Sequence, residues 1–200
     1  MHLYTHFNWL ELLEIGLFVL LVLFFLIFII RFFILTPSFN ERPKENISFR
    51  KMHSWKKTPE YLLLVLSLPL QLLWEIAQFP LYTVWHEGDW SFILYGLVHC
   101  TFGDLLIMLC VFWLVSILNR TRYWIFSPSA LNILLFTALG LTYTIFSEII
   151  NTRVKSTWGY TELMPIVPVI EIGSMPFLQW LLIPPVLIWL MQIMRPTQNL

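Results

Sequence analysis

Val98-His99-Cys100-Thr101-Phe102-Gly103-Asp104 sits in the middle of an otherwise apolar run from about Ser91 to Leu118. A histidine and an aspartate five residues apart are costly in hydrocarbon. Ionisable side chains inside a membrane span face a bundle interior or a polar cavity, and they mark a candidate functional site. Two further apolar runs carry Glu75 and Glu148. Reading the stretch as the inside of a membrane helix decides the fold class, and the rest of the chain agrees with it.

Of the 200 residues 58% are hydrophobic and 12% charged, against roughly a quarter charged in a soluble domain. The formal net charge is zero, which leaves no basic surface for phosphates and argues against a nucleic-acid partner. Cys100 and Cys110 lie on one expected helix about 15 Å apart by helical rise, too far to pair. No Gly-rich phosphate loop, CxxC or HExxH occurs. The class is all-α: a polytopic integral membrane protein forming a single membrane domain over 1–200.

Five runs are long enough to cross about 30 Å of hydrocarbon, at about 13–35, 60–82, 91–118, 130–150 and 175–194. A cleaved signal peptide fits the first badly, because its flank holds Glu11 and Glu14 rather than basic residues. Between the first two spans lies a basic loop, 36–59. Arg31, the six basic residues of that loop, Arg120, Arg122 and Arg195 make ten on one side, against Arg153 and Lys155 on the other. The positive-inside rule puts the ten in the cytoplasm, the amino terminus outside and the carboxyl terminus inside. The expected location is a bacterial cytoplasmic membrane. The loop 151–174 has an apolar second half, Leu163 to Ile170, and reads as a lid or re-entrant segment over the bundle.

The polar residues of the spans keep helical spacing. Gln71, Glu75, Gln78 and Tyr82 share one face, as do Thr137, Thr144, Glu148 and Asn151. His99 and Asp104 flank the small-residue stripe Gly96, Cys100, Gly103 and stand about 140° apart. With the orientation above, these groups and Gln179 cluster in the outer half, while the inner halves are almost purely apolar. A polar pocket under the 151–174 loop is expected. Each group also has a plain structural role open to it. A neutral Glu75 or His99 can serve as an interhelical hydrogen-bond partner, and Gln71, Gln78, Thr137 and Thr144 as glue between helices. Arg153 can pair with Glu148 at the surface, and Trp158 and Tyr160 can anchor the interface.

Three carboxyl groups and a histidine support three chemistries. One is proton transfer between a carboxylic acid and a carboxylate or imidazole. The second is a metal site built from His99, Asp104, Glu75 and Glu148, although the spacing is not diagnostic. The third is ion passage, against which the apolar inner halves offer no path. Whether a cofactor takes part stays open.

The layout resembles the EXPERA group, which includes the emopamil-binding sterol isomerase, over roughly residues 60–190. The matching features are Trp74-Glu75 with Tyr82, the polar stretch His99 to Asp104, Glu148 with Asn151, and Trp180 in the place of an aromatic wall. Asp104 stands where that pattern has a glutamate. The resemblance implies a compact helical bundle with acidic residues around a lipid pocket. The chain is also similar to small bacterial inner-membrane proteins with a Ser-Glu-x-x-Asn-Thr and Gln-Trp pattern, here Ser147 to Thr152 and Gln179-Trp180.

The expected function is acid–base, isomerase-like chemistry on an apolar or lipid-like molecule such as a lipid, isoprenoid or quinone. Glu75, His99, Asp104 and Glu148 are the candidate catalytic residues. Gln78, Tyr82, Asn151, Trp158, Tyr160, Gln179 and Trp180 are the candidate substrate contacts. The alternatives are a non-catalytic accessory subunit of a larger membrane complex and, third, a metal-dependent membrane enzyme. The bilayer is the expected partner; protein partners stay open.

Overall fold

The computed structural model describes residues 58–194. The expected span at 13–35, all but the end of the basic loop and the tail from Arg195 lie outside the described residues.

Helix α1 spans Pro59–Gln78 and continues as a 3-10 turn, Phe79–Leu81. Its start follows from local chemistry. The Thr58 hydroxyl accepts from the Tyr61 N–H at 3.3 Å, and Pro59 occupies the first turn, where its missing N–H costs nothing. The single turn α2, Val84–Glu87, leads to α3, Trp90–Asn119. Asp89 caps α3 by accepting from the Phe92 N–H at 2.8 Å. Its hydrogen bonds, first from the Ser91 hydroxyl and then from Phe92, hold that carboxyl below the usual carboxylate range. Arg120 ends α3 in the left-handed region with φ 52°, a residue type seldom found there. A 3-10 turn over Arg122–Phe126 follows, then α4 at Ala130–Ile149, capped by Ser129. Past Ile149 the helix widens into a π turn, Ile150–Val154. The two-residue strands β1, Ile166–Val167, and β2, Ile172–Gly173, pair antiparallel and lead into α5, Ser174–Ile193.

Four helical stretches are long and apolar enough to cross a membrane: Pro59–Leu81, Trp90–Asn119, Ala130–Val154 and Ser174–Ile193. They match the last four expected spans to within a few residues. Helix α1 packs on α3 and α5, and α4 packs on the same two, so the four close into a ring.

The core fills one end of that ring. Leu63, Met108, Phe112, Phe136, Leu187, Ile188 and Met191 are fully or nearly fully buried there, with Trp124 and Ile125 of the 3-10 turn folded in beneath them. The Trp124 indole donates to the Ser116 hydroxyl at 2.9 Å, so its one polar atom is satisfied. Lipid tails are as apolar as these side chains. Close packing rather than exclusion from water must therefore hold the helices together. Gly140 is the tightest such contact. A Cβ there would lie 2.1 Å from the Trp180 ring, so only glycine lets that indole come this close to α4. The expected small-residue stripe on α3 serves close approach at one end alone: Gly96 faces the Phe79 ring, whereas Gly103 has open space beside it.

The 151–174 loop is a cover in part. It returns over the bundle through the bridge between Tyr82 and Tyr160 and buries Met164 and Ile172. At its tip Leu163 and Val169 are largely exposed from the rest of the chain.

Candidate functional site

On α1 the buried face reads Leu63, Ser67, Gln71, Glu75, Gln78. Four successive polar positions on an inward face need partners, and most of these come from α5 and α3. The Gln78 amide donates to Glu75 Oε1 at 2.8 Å and to Gln179 Oε1 at 3.2 Å. The Gln179 amide in turn lies within reach of three acceptors: Asp104 Oδ2 at 2.7 Å, Gln71 Oε1 at 2.8 Å and Glu75 Oε1 at 3.2 Å. Trp74 fixes the frame, its indole N–H shared between Gln78 Oε1 at 3.1 Å and the Met175 carbonyl at 3.2 Å.

Counting hydrogens decides what the cluster holds. An amide nitrogen carries two, and Gln179 faces three acceptors. The Glu75 and Asp104 carboxyls thus meet on one nitrogen, that of Gln179. The site is a pair of carboxyls from two helices, held by two glutamines and without a cationic partner among the described residues. Glu75 is buried, whereas Asp104 is partly exposed and neighbours the open side of Gly103.

A second pair lies toward the loop. The Tyr160 hydroxyl donates to Glu148 Oε2, while the buried Trp158 indole N–H has no hydrogen-bond partner among the described residues. Tyr82 packs on Tyr160 and Trp158 with ring centroids 5.6 and 6.4 Å apart. Burial first, and then the neighbouring Glu148, pushes both tyrosine hydroxyls well above their usual range, so both remain donors. The two pairs feel one another, and the Cys100 thiol lies within the field of all three acids.

Sequence and structure part at several residues. His99 does not join the acids: it is exposed on the outer face of α3, stacked on Tyr95 at 5.5 Å. Asp104 takes the inward direction, and the 140° between them carries His99 away. Asn151 bonds within its own turn, to the Ser147 carbonyl at 2.9 Å, and orients the loop through Thr157 rather than lining the cluster. Arg153 does not neutralise Glu148. Its guanidinium donates to the carbonyls of Ile170 and Glu171 and pairs with the Glu171 carboxylate at 3.4 Å.

Trp74, Cys100 and Gly140 were not singled out as site or contact residues. For Trp74 and Cys100 a signal existed in their four-residue spacing to Gln78 and Asp104.

Among the described residues no three His, Cys, Asp or Glu side chains converge to hold a metal ion, and the set that includes His99 is not assembled. The ion pairs among the described residues, Arg122–Glu60 and Arg153–Glu171, leave Glu75, Asp104 and Glu148 without a cationic partner. No family model, curated protein or solved structure matches the chain.

Proposed function

We propose that this chain is a five-span protein of a bacterial cytoplasmic membrane, amino terminus outside and carboxyl terminus inside, that performs acid–base chemistry on a lipid-like molecule. One observation carries the reading: the Glu75 and Asp104 carboxyls meet on the Gln179 amide, with Gln78 on Glu75 and no cationic partner among the described residues. In this reading one of the two carries a proton, and a carboxylic acid beside a carboxylate in a low-dielectric setting is equipped to deliver a proton to one atom of a ligand and remove one from another. Such an exchange moves a double bond or a hydroxyl proton with no net change in oxidation state. It needs no other reactant. Asp104, partly exposed beside Gly103, is the group a ligand in the bilayer reaches first, and Glu75 resupplies it. Glu148 and Tyr160 orient the ligand's polar end, with Tyr82 and Trp158 as its aromatic wall. The resemblance to the EXPERA group is consistent with this reading.

The test is mass spectrometry, native and after organic extraction, on protein purified in mild detergent. Wild type is expected to carry a specific lipid-like molecule that the Glu75→Gln/Asp104→Asn variant has lost. Identical, ligand-free masses for two equally stable proteins would contradict it.

One observation favours the accessory-subunit reading. His99 is exposed within a membrane span, and an imidazole facing lipid is costly unless a neighbouring helix covers it. Stoichiometric co-purification of a second protein, lost in His99→Leu, is the expected signature.

A further inference from the structure

Three side-chain amides form a row with one direction along the α1/α5 seam. The Trp74 indole donates to Gln78 Oε1 at 3.1 Å. Gln78 Nε2 donates to Gln179 Oε1 at 3.2 Å, and Gln179 Nε2 donates to Gln71 Oε1 at 2.8 Å. With this direction the amide nitrogens are the atoms that meet the acids. Gln78 Nε2 lies 2.8 Å from Glu75 Oε1, and Gln179 Nε2 lies 2.7 Å from Asp104 Oδ2.

The opposite direction is sterically available, because the two head atoms of an amide have nearly the same shape. One amide cannot turn over alone, since it would set nitrogen against nitrogen or oxygen against oxygen. Turning all three keeps every link between them and presents oxygens to Glu75 and Asp104. The acids alone do not choose between the two directions. A carboxylate only accepts and matches the nitrogens, whereas a carboxylic acid donates and matches the oxygens. Each direction therefore belongs with its own number of protons on the pair.

The ends of the row make the choice. At the far end Gln71 is 0% exposed, and its Nε2 has no hydrogen-bond partner among the described residues, so nothing there favours one direction. At the near end stands an indole N–H, which can only donate. Reversal would bring the Gln78 amide hydrogens against it. The ring is held in place meanwhile, because the same N–H reaches the Met175 carbonyl at 3.2 Å.

We propose that Trp74 is a positioning residue that sets the proton count of the acid pair: its N–H directs the row of amides so that nitrogens face Glu75 and Asp104 and one of them stays a carboxylate. This rests on the acid–base reading above. Without that N–H the reversed row is open, both carboxyls can hold protons, and the pair has no base left.

Replacing the Trp74 side chain by its benzothiophene isostere, with sulfur in place of N–H, removes the donor and keeps the ring. Infrared spectroscopy of the full-length protein in lipid at neutral pH is the measurement. It reads the carbonyl stretch of protonated carboxyls, assigned by its downshift in D2O and its loss in Glu75→Gln/Asp104→Asn. Wild type is expected to show one such carboxyl, and the isostere to raise that band about twofold. Trp74→Phe, which also lacks the N–H, is expected to do the same and serves if the isostere is not incorporated. A packing role alone would lower Tm and leave the band as it is. An unchanged or smaller band in both variants overturns the proposal and leaves the acid–base reading standing. A wild-type spectrum without the band overturns both.

Discussion

The two ends of the four-helix ring are built on opposite principles. Toward Trp124 and Ile125 the helices meet through buried apolar side chains, and the hydrogen bond of the Trp124 indole goes to Ser116. Toward Tyr82 the helices are joined by amides and carboxyls with too few hydrogens for their acceptors. The first arrangement gives stability. The second holds polar groups that an apolar core would have eliminated. Gly140 against Trp180 marks the boundary, since Trp180 packs in the core and follows Gln179 of the network.

If that contrast is right, mutational costs should fall steeply from the filled end to the polar end. Trp124→Ala is expected to cost most, about 3–4 kcal/mol, by opening a cavity and removing one of the two hydrogen bonds of the Ser116 hydroxyl; a loss under about 1 kcal/mol in detergent unfolding would break the comparison. Gly140→Ala is next, about 3 kcal/mol, because the new Cβ meets an aromatic ring with nowhere to go. A smaller residue at 180 should relieve part of that loss, which a double-mutant cycle would read. Tyr160→Phe leaves Glu148 short of its closest donor and should cost about 2 kcal/mol. Ser67→Ala, in protein stripped of lipid, should stay within about 0.5 kcal/mol, because its hydroxyl has no partner to lose. A smaller pH effect comes from Asp89. Its folded pKa is lowered, so its contribution is complete above the ordinary carboxylate range and fades as pH falls through the lower folded value. Asp89→Asn keeps the helix cap and should flatten that acid-side dependence in a Tm-versus-pH series.

Much of this was legible in the sequence, for a physical reason. Helical spacing is intrinsic, so Gln71, Glu75 and Gln78 had to share a face, and burial could be inferred from the apolar residues around them. Spacing gives relative angles and not absolute direction. His99 and Asp104 were known to diverge by about 140°, but which one faced inward depended on neighbouring helices. Arg153 was placed beside Glu148 by sequence proximity, whereas the π turn and the hairpin carbonyls direct it elsewhere. Gly140 carried no signal beyond being the one glycine of its span; its importance comes from the indole opposite.

The shared proton can be tested directly with a hydrophobic carbodiimide. The reagent takes the acid's proton onto its nitrogen while the carboxyl oxygen adds to its carbon, so an ionised carboxylate in hydrocarbon does not react. Peptide mass spectrometry of the labelled wild-type protein is predicted to find one adduct per chain, on Glu75 or Asp104, and none at that site in Glu75→Gln/Asp104→Asn. Absence of label at both positions, with other carboxyls modified in their place, would contradict a proton held between Glu75 and Asp104.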